Sequence, residues 1–170
     1  MAAVNNINKN FLSPLGYKFS LARAPALVYN VQAVRIPGIQ MSNSETPTPF
    51  VPIPTTGKIT YNTLGLTFRI NEDMTDYLEI HNWMKKLAGA NDFVGYKQLS
   101  DAVGGANETL ESDLNVTIMN SGMRGNISID FFNAFPVVLG DLDFNTTDTD
   151  VNYIECSVEF RYLRYEINTL

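Results

Sequence analysis

Residues 127–165 read ISIDFFNAFPVVLGDLDFNTTDTDVNYIECSVEFRYLRY. In the second half of this stretch, apolar and polar side chains alternate along the chain. The apolar positions are Ile154, Cys156, Val158, Phe160 and Tyr162. Between them lie the polar positions Glu155, Ser157, Glu159 and Arg161. A period of two predicts a long final β-strand that turns one face to a core and the other outward.

Alternation of the same kind predicts antiparallel strands along most of the chain. The stretch itself begins with a strand over 127–132, followed by an aromatic-proline corner at 132–136. A turn at 24–27 contains Pro25, and a hairpin turn at 120–125 contains Ser121-Gly122. The other predicted strands cover residues 17–23, 28–36, 59–70, 114–119 and 137–144. Within 59–70, a change of phase in the alternation around residues 62–64 predicts a bulge or bend. The sequence therefore predicts a mainly β protein.

One segment has the periodicity of an amphipathic helix. Its apolar positions recur at spacings of three and four, at Tyr77, Ile80, Trp83, Met84 and Leu87. Thr75 or Asp76 is predicted to cap the helix, with Glu79 three residues after Asp76 in the capping-box relation. Gly89 is predicted to end it.

Residues 39–57, IQMSNSETPTPFVPIPTTG, contain four prolines. Because proline has no backbone N–H to donate to a ladder, this segment cannot be a central strand. The residues allow two interpretations, a long surface loop or an extended arm that reaches a neighbouring subunit. In the second interpretation, the contact residues are Pro47, Phe50 and Pro52.

Length and charge limit the class of protein. The 170 residues suit one domain, predicted over 14–170, with a polar arm at 1–13 and a loop insertion at 90–113. The net charge of −6 disfavours a nucleic-acid grip, because phosphate binding needs clustered Lys and Arg. No secretory signal or membrane helix is expected, so the protein should fold in the cytoplasm of the producing cell.

Catalytic and metal-binding patterns are not found. His81 is the single histidine and Cys156 the single cysteine, which are too few for a zinc site, and no Ser-His-Asp set has its usual local signals. Four aspartates at 141–150 could offer oxygens to calcium, but they lack the glycine and final glutamate of the EF-hand loop. We therefore expect no enzyme, no cofactor and no metal.

Three stretches in order resemble the tail tube proteins of contractile-tailed bacteriophages. The first is VQAVRIPG at 31–38, a strand that ends in an Ile-Pro-Gly turn before an extended arm. The second is 61–83, an amphipathic strand, an acidic turn and a helix with a Trp. The third combines Phe132-Asn-Ala-Phe-Pro, Asp141-Leu-Asp and the Val158-x-Phe-x-Tyr strand.

The resemblance implies an antiparallel β-sandwich or rolled barrel with one flanking amphipathic helix and a protruding proline-rich arm. Subunits would form hexameric rings that stack into a tube, and DNA would pass through the channel during ejection without specific binding. Implied partners are further copies of the chain, the tail sheath protein, baseplate and neck proteins, and the tape measure protein. The implied location is the tail of the virion, after assembly in the host cytoplasm.

Within this framework, Glu155, Glu159 and Arg161 become candidates for the channel wall or for a joint between subunits. An acidic wall would repel the phosphates of passing DNA. Three alternatives stay open: a ring that initiates or terminates the tube, the inner tube of a related contractile injection system, and a monomeric ligand-binding β-sandwich.

Overall fold

A computed structural model describes residues 11–89, 97, 110–146 and 153–170 of the chain. The predicted N-terminal arm and loop insertion lie largely outside these residues, and the last two residues of the insertion belong to a strand. The described elements are β1 (Tyr17–Leu21), α1 (Pro25–Asn30), β2 (Val31–Arg35), β3 (Ile39–Thr46), β4 (Ile53–Tyr61), β5 (Leu64–Arg69), α2 (Thr75–Leu87), β6 (Ser112–Met119), β7 (Gly125–Leu139), β8 (Glu155–Arg161) and β9 (Arg164–Thr169).

The strands form an antiparallel β-sandwich whose two layers share β7. Hydrogen bonding follows the order β1-β6-β7-β8-β5-β2, and β9 also pairs with β7. The first part of β7 lies between β6 and β9 in the first layer, whereas residues 135–139 pair with β8 in the second layer. The prediction of a mainly β, antiparallel fold is confirmed, and β3 and β4 form a separate two-stranded sheet.

The strand β7 changes layers at the predicted aromatic-proline corner. Asn133 has a positive φ of 56°, a conformation that Asn tolerates better than most residues, and its N–H donates to Oδ1 of Asp113 at 3.1 Å. The register shifts on either side, near Ser112 and near Pro136. The predicted division into strands at 127–132 and 137–144 is wrong, because the corner bends one continuous strand that ends at Leu139.

The predicted final strand is likewise interrupted, at 162–163 between β8 and β9. Its partner β7 pairs with Arg161 through Phe135 and with Arg164 through Phe132, so the final segment crosses between layers where β7 bends. The predicted alternation is confirmed in β8, where Cys156, Val158 and Phe160 are buried. The predicted strand at 59–70 is interrupted at 62–63, where the change of phase predicts a bulge or bend.

Within the described part of the chain, two helices, α1 and α2, pack on the sandwich, and only α2 was expected there. Its predicted apolar stripe is confirmed: Ile80 and Trp83 are buried, and the other stripe residues pack against the core. Trp83 lies 6.2 Å from Phe160 between ring centroids, and its indole N–H donates to the carbonyl of Leu110 at 3.2 Å. Gly89, with a φ of 58°, follows the helix as predicted.

The short helix α1 replaces the predicted turn at 24–27 and the start of the predicted strand at 28–36. Pro25 occupies the first turn, where its missing N–H costs no hydrogen bond and its fixed φ favours the helix. Leu27 is fully buried and anchors α1 to the core. The true strand therefore begins only at Val31.

The capping-box prediction for α2 is wrong. The N-cap is Met74, with a φ of 52° and no side-chain cap. Asp76 is instead fully buried, where it accepts hydrogen bonds from the amides of Asn30 at 2.7 Å and Asn71 at 3.4 Å. This carboxylate ties the end of α1 to the start of α2.

The substitution Asp76→Ala should lower the free energy of unfolding by about 1–3 kcal/mol, because it leaves the Asn30 amide without its acceptor. Urea denaturation measures the loss. Asp73→Ala removes the same charge from an exposed neighbour and should stay within about 0.5 kcal/mol of the parent. Equal effects of the two substitutions would contradict the role given to Asp76.

Candidate assembly site

The strands β3 and β4 form a hairpin, hereafter the arm, comprising residues 39–61. All residues of β3 are exposed. In β4, residues 53–60 are exposed and Tyr61 is half-buried. The predicted protruding arm over 39–57 is a hairpin, and its second strand continues to Tyr61.

The arm is the outer part of one long antiparallel ribbon. Its inner part is the pair β2–β5 of the second layer, in which Val31 pairs with Phe68 and Arg35 with Gly65. Beyond a break at 36–38 and 62–63, pairing resumes with Ile39 opposite Tyr61. One backbone hydrogen bond spans the break, from the N–H of Asn62 to the carbonyl of Gly38 at 3.3 Å.

A bulge at Gly57 changes the register of the arm. Met41 pairs with Ile59, whereas Asn43 pairs with Thr56, so β4 contains one extra residue. The hydroxyl of Ser42 accepts a hydrogen bond from the Lys58 N–H at 2.9 Å at this point. A Cβ on residue 57 would lie 2.5 Å from the Ser42 carbonyl oxygen, which only glycine avoids.

Apolar side chains cover much of the arm, although none of its residues except Tyr61 packs against the core. The register places three exposed apolar side chains next to one another on one face, those of Ile39, Met41 and Ile59. The tip, residues 47–52, presents Phe50, whose surface is 95 % exposed. The predicted contact residues Pro47, Phe50 and Pro52 all lie exposed at this tip. An exposed apolar patch of this kind marks an interaction surface.

The polar face of β8 forms a second candidate surface, on the outside of the second layer. Glu155 pairs with Arg69, with 3.7 Å between Oε1 and Nε, and Glu159 accepts a hydrogen bond from the hydroxyl of Thr63 at 2.9 Å. Glu155, Glu159 and Arg161 therefore share one face, as predicted, and Glu159 lies beside the base of the arm. The three residues lie on β8, outside the arm and apart from its tip.

A polar network on the outside of the first layer was not predicted. The carboxylate of Asp130 accepts hydrogen bonds from Asn115, from Ser128 at 3.1 Å and from Asn168 at 3.0 Å. The register places these residues on neighbouring strands β6, β7 and β9. The polar alternation of each strand was visible in the sequence, but the register that joins them was not.

The described residues show neither a metal centre nor a membrane-spanning helix. Among them, no group of three or more His, Cys, Asp or Glu side chains could hold a metal ion. Asp148 and Asp150 of the considered calcium loop lie outside the described residues. No described helix has the length and apolar character to cross a bilayer.

Comparison with known families decides the class of the protein. A family model described as phage tail tube protein matches residues 4–168. The chain belongs to the phage tail tube protein family. It is a structural tube protein rather than an enzyme, and the resemblance found in the sequence is confirmed. The comparison with curated proteins gives no match.

Solved structures share the fold of this tail tube protein at low sequence identity. One is a chain from the sheath–tube complex of the PVC extracellular contractile injection system, with a TM-score of 0.66 at 12% identity. The match covers 95% of this chain and 94% of that chain. A chain from the sheath/tube terminator of the same system has a TM-score of 0.65 at 14% identity, and the match covers 95% of this chain and 99% of that chain. The tube terminating cap of the anti-feeding prophage has a TM-score of 0.64 at 15% identity, covering 100% of both chains.

Aromatic rings gather where the arm joins the sandwich. Tyr162 is 6 % exposed and lies 4.9 Å from Phe131 and 5.9 Å from both Tyr61 and Tyr165, measured between ring centroids. Burial, followed by the neighbouring Tyr165 and Tyr61, raises the pKa of Tyr162 from 10.0 to about 12. The folded protein therefore holds this phenol in its neutral form.

Because the folded-state pKa of Tyr162 exceeds its unfolded value, its contribution to stability is complete below pH 10.0 and is lost as pH rises towards about 12. Melting temperatures across this range should fall less steeply in Tyr162→Phe than in the parent. Tyr153→Phe, at an exposed tyrosine, is the matched control. Identical slopes in all three proteins would contradict this assignment.

The substitution Gly57→Ala should disrupt the outer half of the arm, since its Cβ collides with the Ser42 backbone. In NMR spectra, the cross-strand contacts between Asn43 and Thr56 should disappear while the sandwich keeps its melting temperature. The matched control is Gly65→Ala, whose Cβ would lie an ordinary 3.7 Å from the Arg35 Cβ. Retention of the Asn43–Thr56 contacts would show that the bulge does not require glycine.

Proposed function

We propose that this chain forms hexameric rings that stack into the tube of a contractile phage tail, through which DNA passes during ejection. The observation that carries the proposal is an exposed two-stranded arm with apolar side chains, on a chain of the tail tube family. An arm of this kind gains stability only when another surface covers it. The copy next to it in a ring or stack supplies that surface.

The arm can bind a neighbour in two ways at once. Its outer strand edges carry backbone groups that can add to the edge of another sheet, as in β-strand addition. Its tip residues Pro47, Phe50 and Pro52 can fill a pocket of the neighbour. Burying a phenylalanine contributes about 1.5–3 kcal/mol, so Phe50 is the main energetic contributor of the three.

The β8 face supplies the wall of the channel or a joint between subunits. Glu155, Glu159 and Arg161 keep charged groups on the outside of the second layer, and the whole chain carries a net charge of −6. In a closed channel, acidic groups repel DNA phosphates and keep the genome from adhering. A structure of the tube that leaves this face in contact with solvent outside the channel would exclude both roles.

The proposed partners follow from the tail architecture. They are further copies of this chain, the tail sheath protein outside, baseplate and neck proteins at the ends, and the tape measure protein and DNA in the lumen, none of them bound as cofactors. The fold shared with a chain of a sheath–tube complex supports the sheath assignment. The protein would assemble in the host cytoplasm and reside in the tail of the virion.

A tube-end ring is the second candidate function. The similar structures include a sheath/tube terminator and a tube terminating cap, the latter covering the full length of both chains. The number of copies in a virion distinguishes the two roles, because a terminator forms one ring and the tube many. Quantitative mass spectrometry of purified particles measures that number.

The substitution Phe50→Ala should weaken assembly without changing the fold, since the side chain touches solvent in the monomer. Sedimentation velocity should show rings or tubes for the parent and a shift of the midpoint concentration by at least about 10-fold for the variant. Phe144→Ala is the matched control, at an exposed phenylalanine outside the arm. A parent that stays monomeric at every concentration and salt tried would overturn the proposed function.

A further inference from the structure

We propose that Tyr162 and Tyr165 act as positioning residues that clamp the base of the arm and fix its direction for assembly. The inference rests on the proposed role of the arm in joining subunits. It assigns a role to two side chains that lie at the base of the arm, one of them buried in the sandwich.

The two tyrosine hydroxyls bind one strand of the ribbon each. The Tyr162 hydroxyl donates to the carbonyl of Asn62 at 2.8 Å, and the Tyr165 hydroxyl donates to the carbonyl of Pro37 at 3.4 Å. These two carbonyls lie in the two breaks, at 36–38 and 62–63, where the ribbon leaves the sandwich. Each strand of the arm is therefore held at the point where it departs.

The rings hold the same region by packing. Tyr61, the last residue of the arm, lies 5.9 Å from Tyr162 and 5.7 Å from Tyr165 between ring centroids, in tilted and edge-on arrangements. Phe131 of β7 lies 4.9 Å and 5.4 Å from the same two rings and fixes them to the core. Pro37 is buried beside them.

The clamp is needed because the breaks have little backbone pairing of their own. Between Arg35 and Ile39, one described backbone hydrogen bond crosses the ribbon, from the Asn62 N–H to the Gly38 carbonyl at 3.3 Å. A ribbon joined through so few bonds can hinge, and a hinged arm must lose that freedom when it docks. Two hydroxyl bonds to the breaks remove this cost before assembly begins.

Packing alone does not explain the two hydroxyls. Phe131 occupies the same cluster without one, so a phenyl ring satisfies the packing. The two hydrogen bonds to the breaks come from Tyr162 and Tyr165 and do not use the Tyr61 hydroxyl. Tyr61→Phe therefore removes the same kind of atom as Tyr162→Phe and Tyr165→Phe but keeps its ring and both hydroxyl bonds to the breaks, which makes it the matched control.

The experiment measures arm direction in the monomer and assembly separately. Spin labels on Ser44→Cys in the arm and Lys85→Cys on α2, with Cys156→Ala to remove the native thiol, give a distance distribution by pulsed electron paramagnetic resonance. Samples are diluted until sedimentation velocity shows monomer only. The same unlabelled variants are then concentrated and scored for rings and tubes by electron microscopy.

The clamp predicts a narrow distance distribution in the parent and in Tyr61→Phe, and a broadened or shifted one in the double variant Tyr162→Phe/Tyr165→Phe. It also predicts that the double variant needs about 10-fold more protein to assemble, the equivalent of one or two lost hydrogen bonds. Circular dichroism should show that its sandwich remains folded.

An unchanged distance distribution in a folded double variant would overturn the clamp, whether or not the parent assembles. A broadened distribution in Tyr61→Phe equal to that of the double variant would overturn it as well, because loss of a hydroxyl that binds neither break would then have the same effect. A parent that never assembles would overturn the proposed function instead. In that case a broadened distribution in the double variant would still support the clamp.

Discussion

The bend of β7 at Asn133 is the constraint on which the rest of the structure depends. It lets one 15-residue strand serve both layers of the sandwich, so β6 and β9 pair with its first part and β8 with its last. Since β8 and β9 follow the same path, they separate at 162–163, beside the bend. That separation places Tyr162 and Tyr165 around Phe131, where the arm leaves the body.

The arm and the sandwich are therefore structurally coupled. The ribbon begins as the pair β2–β5 in the second layer and continues outward as β3–β4, past the aromatic cluster that holds its base. The exposed apolar side chains lie on the outer part of the ribbon. The charged face of β8 lies beside its inner part, where Glu159 accepts a hydrogen bond from Thr63. In the proposed function, the arm connects the subunits and the β8 face is an inert surface, and both adjoin the same ribbon.

Short-range patterns predicted much of this structure, and long-range pairing accounts for what they missed. Alternation identified the buried side of β8, and the spacing of apolar residues identified α2, because both signals come from neighbours in sequence. The prolines at 47–54 excluded a central strand and pointed to the arm. The break at 162–163 escaped prediction because it follows the bend of a partner strand. Asp76 was read as a cap since nothing local shows that Asn30 and Asn71 meet it.

The most direct test of the account is a cryo-electron microscopy map of the assembled protein at side-chain resolution. The account predicts stacked rings with a central channel, in which residues 39–61 of each copy lie against a neighbouring copy and Phe50 is buried. It also predicts an arm whose direction relative to the sandwich matches that of the monomer. Rings in which the arm projects freely into solvent, with Phe50 exposed, would contradict the central claim that the arm joins the subunits.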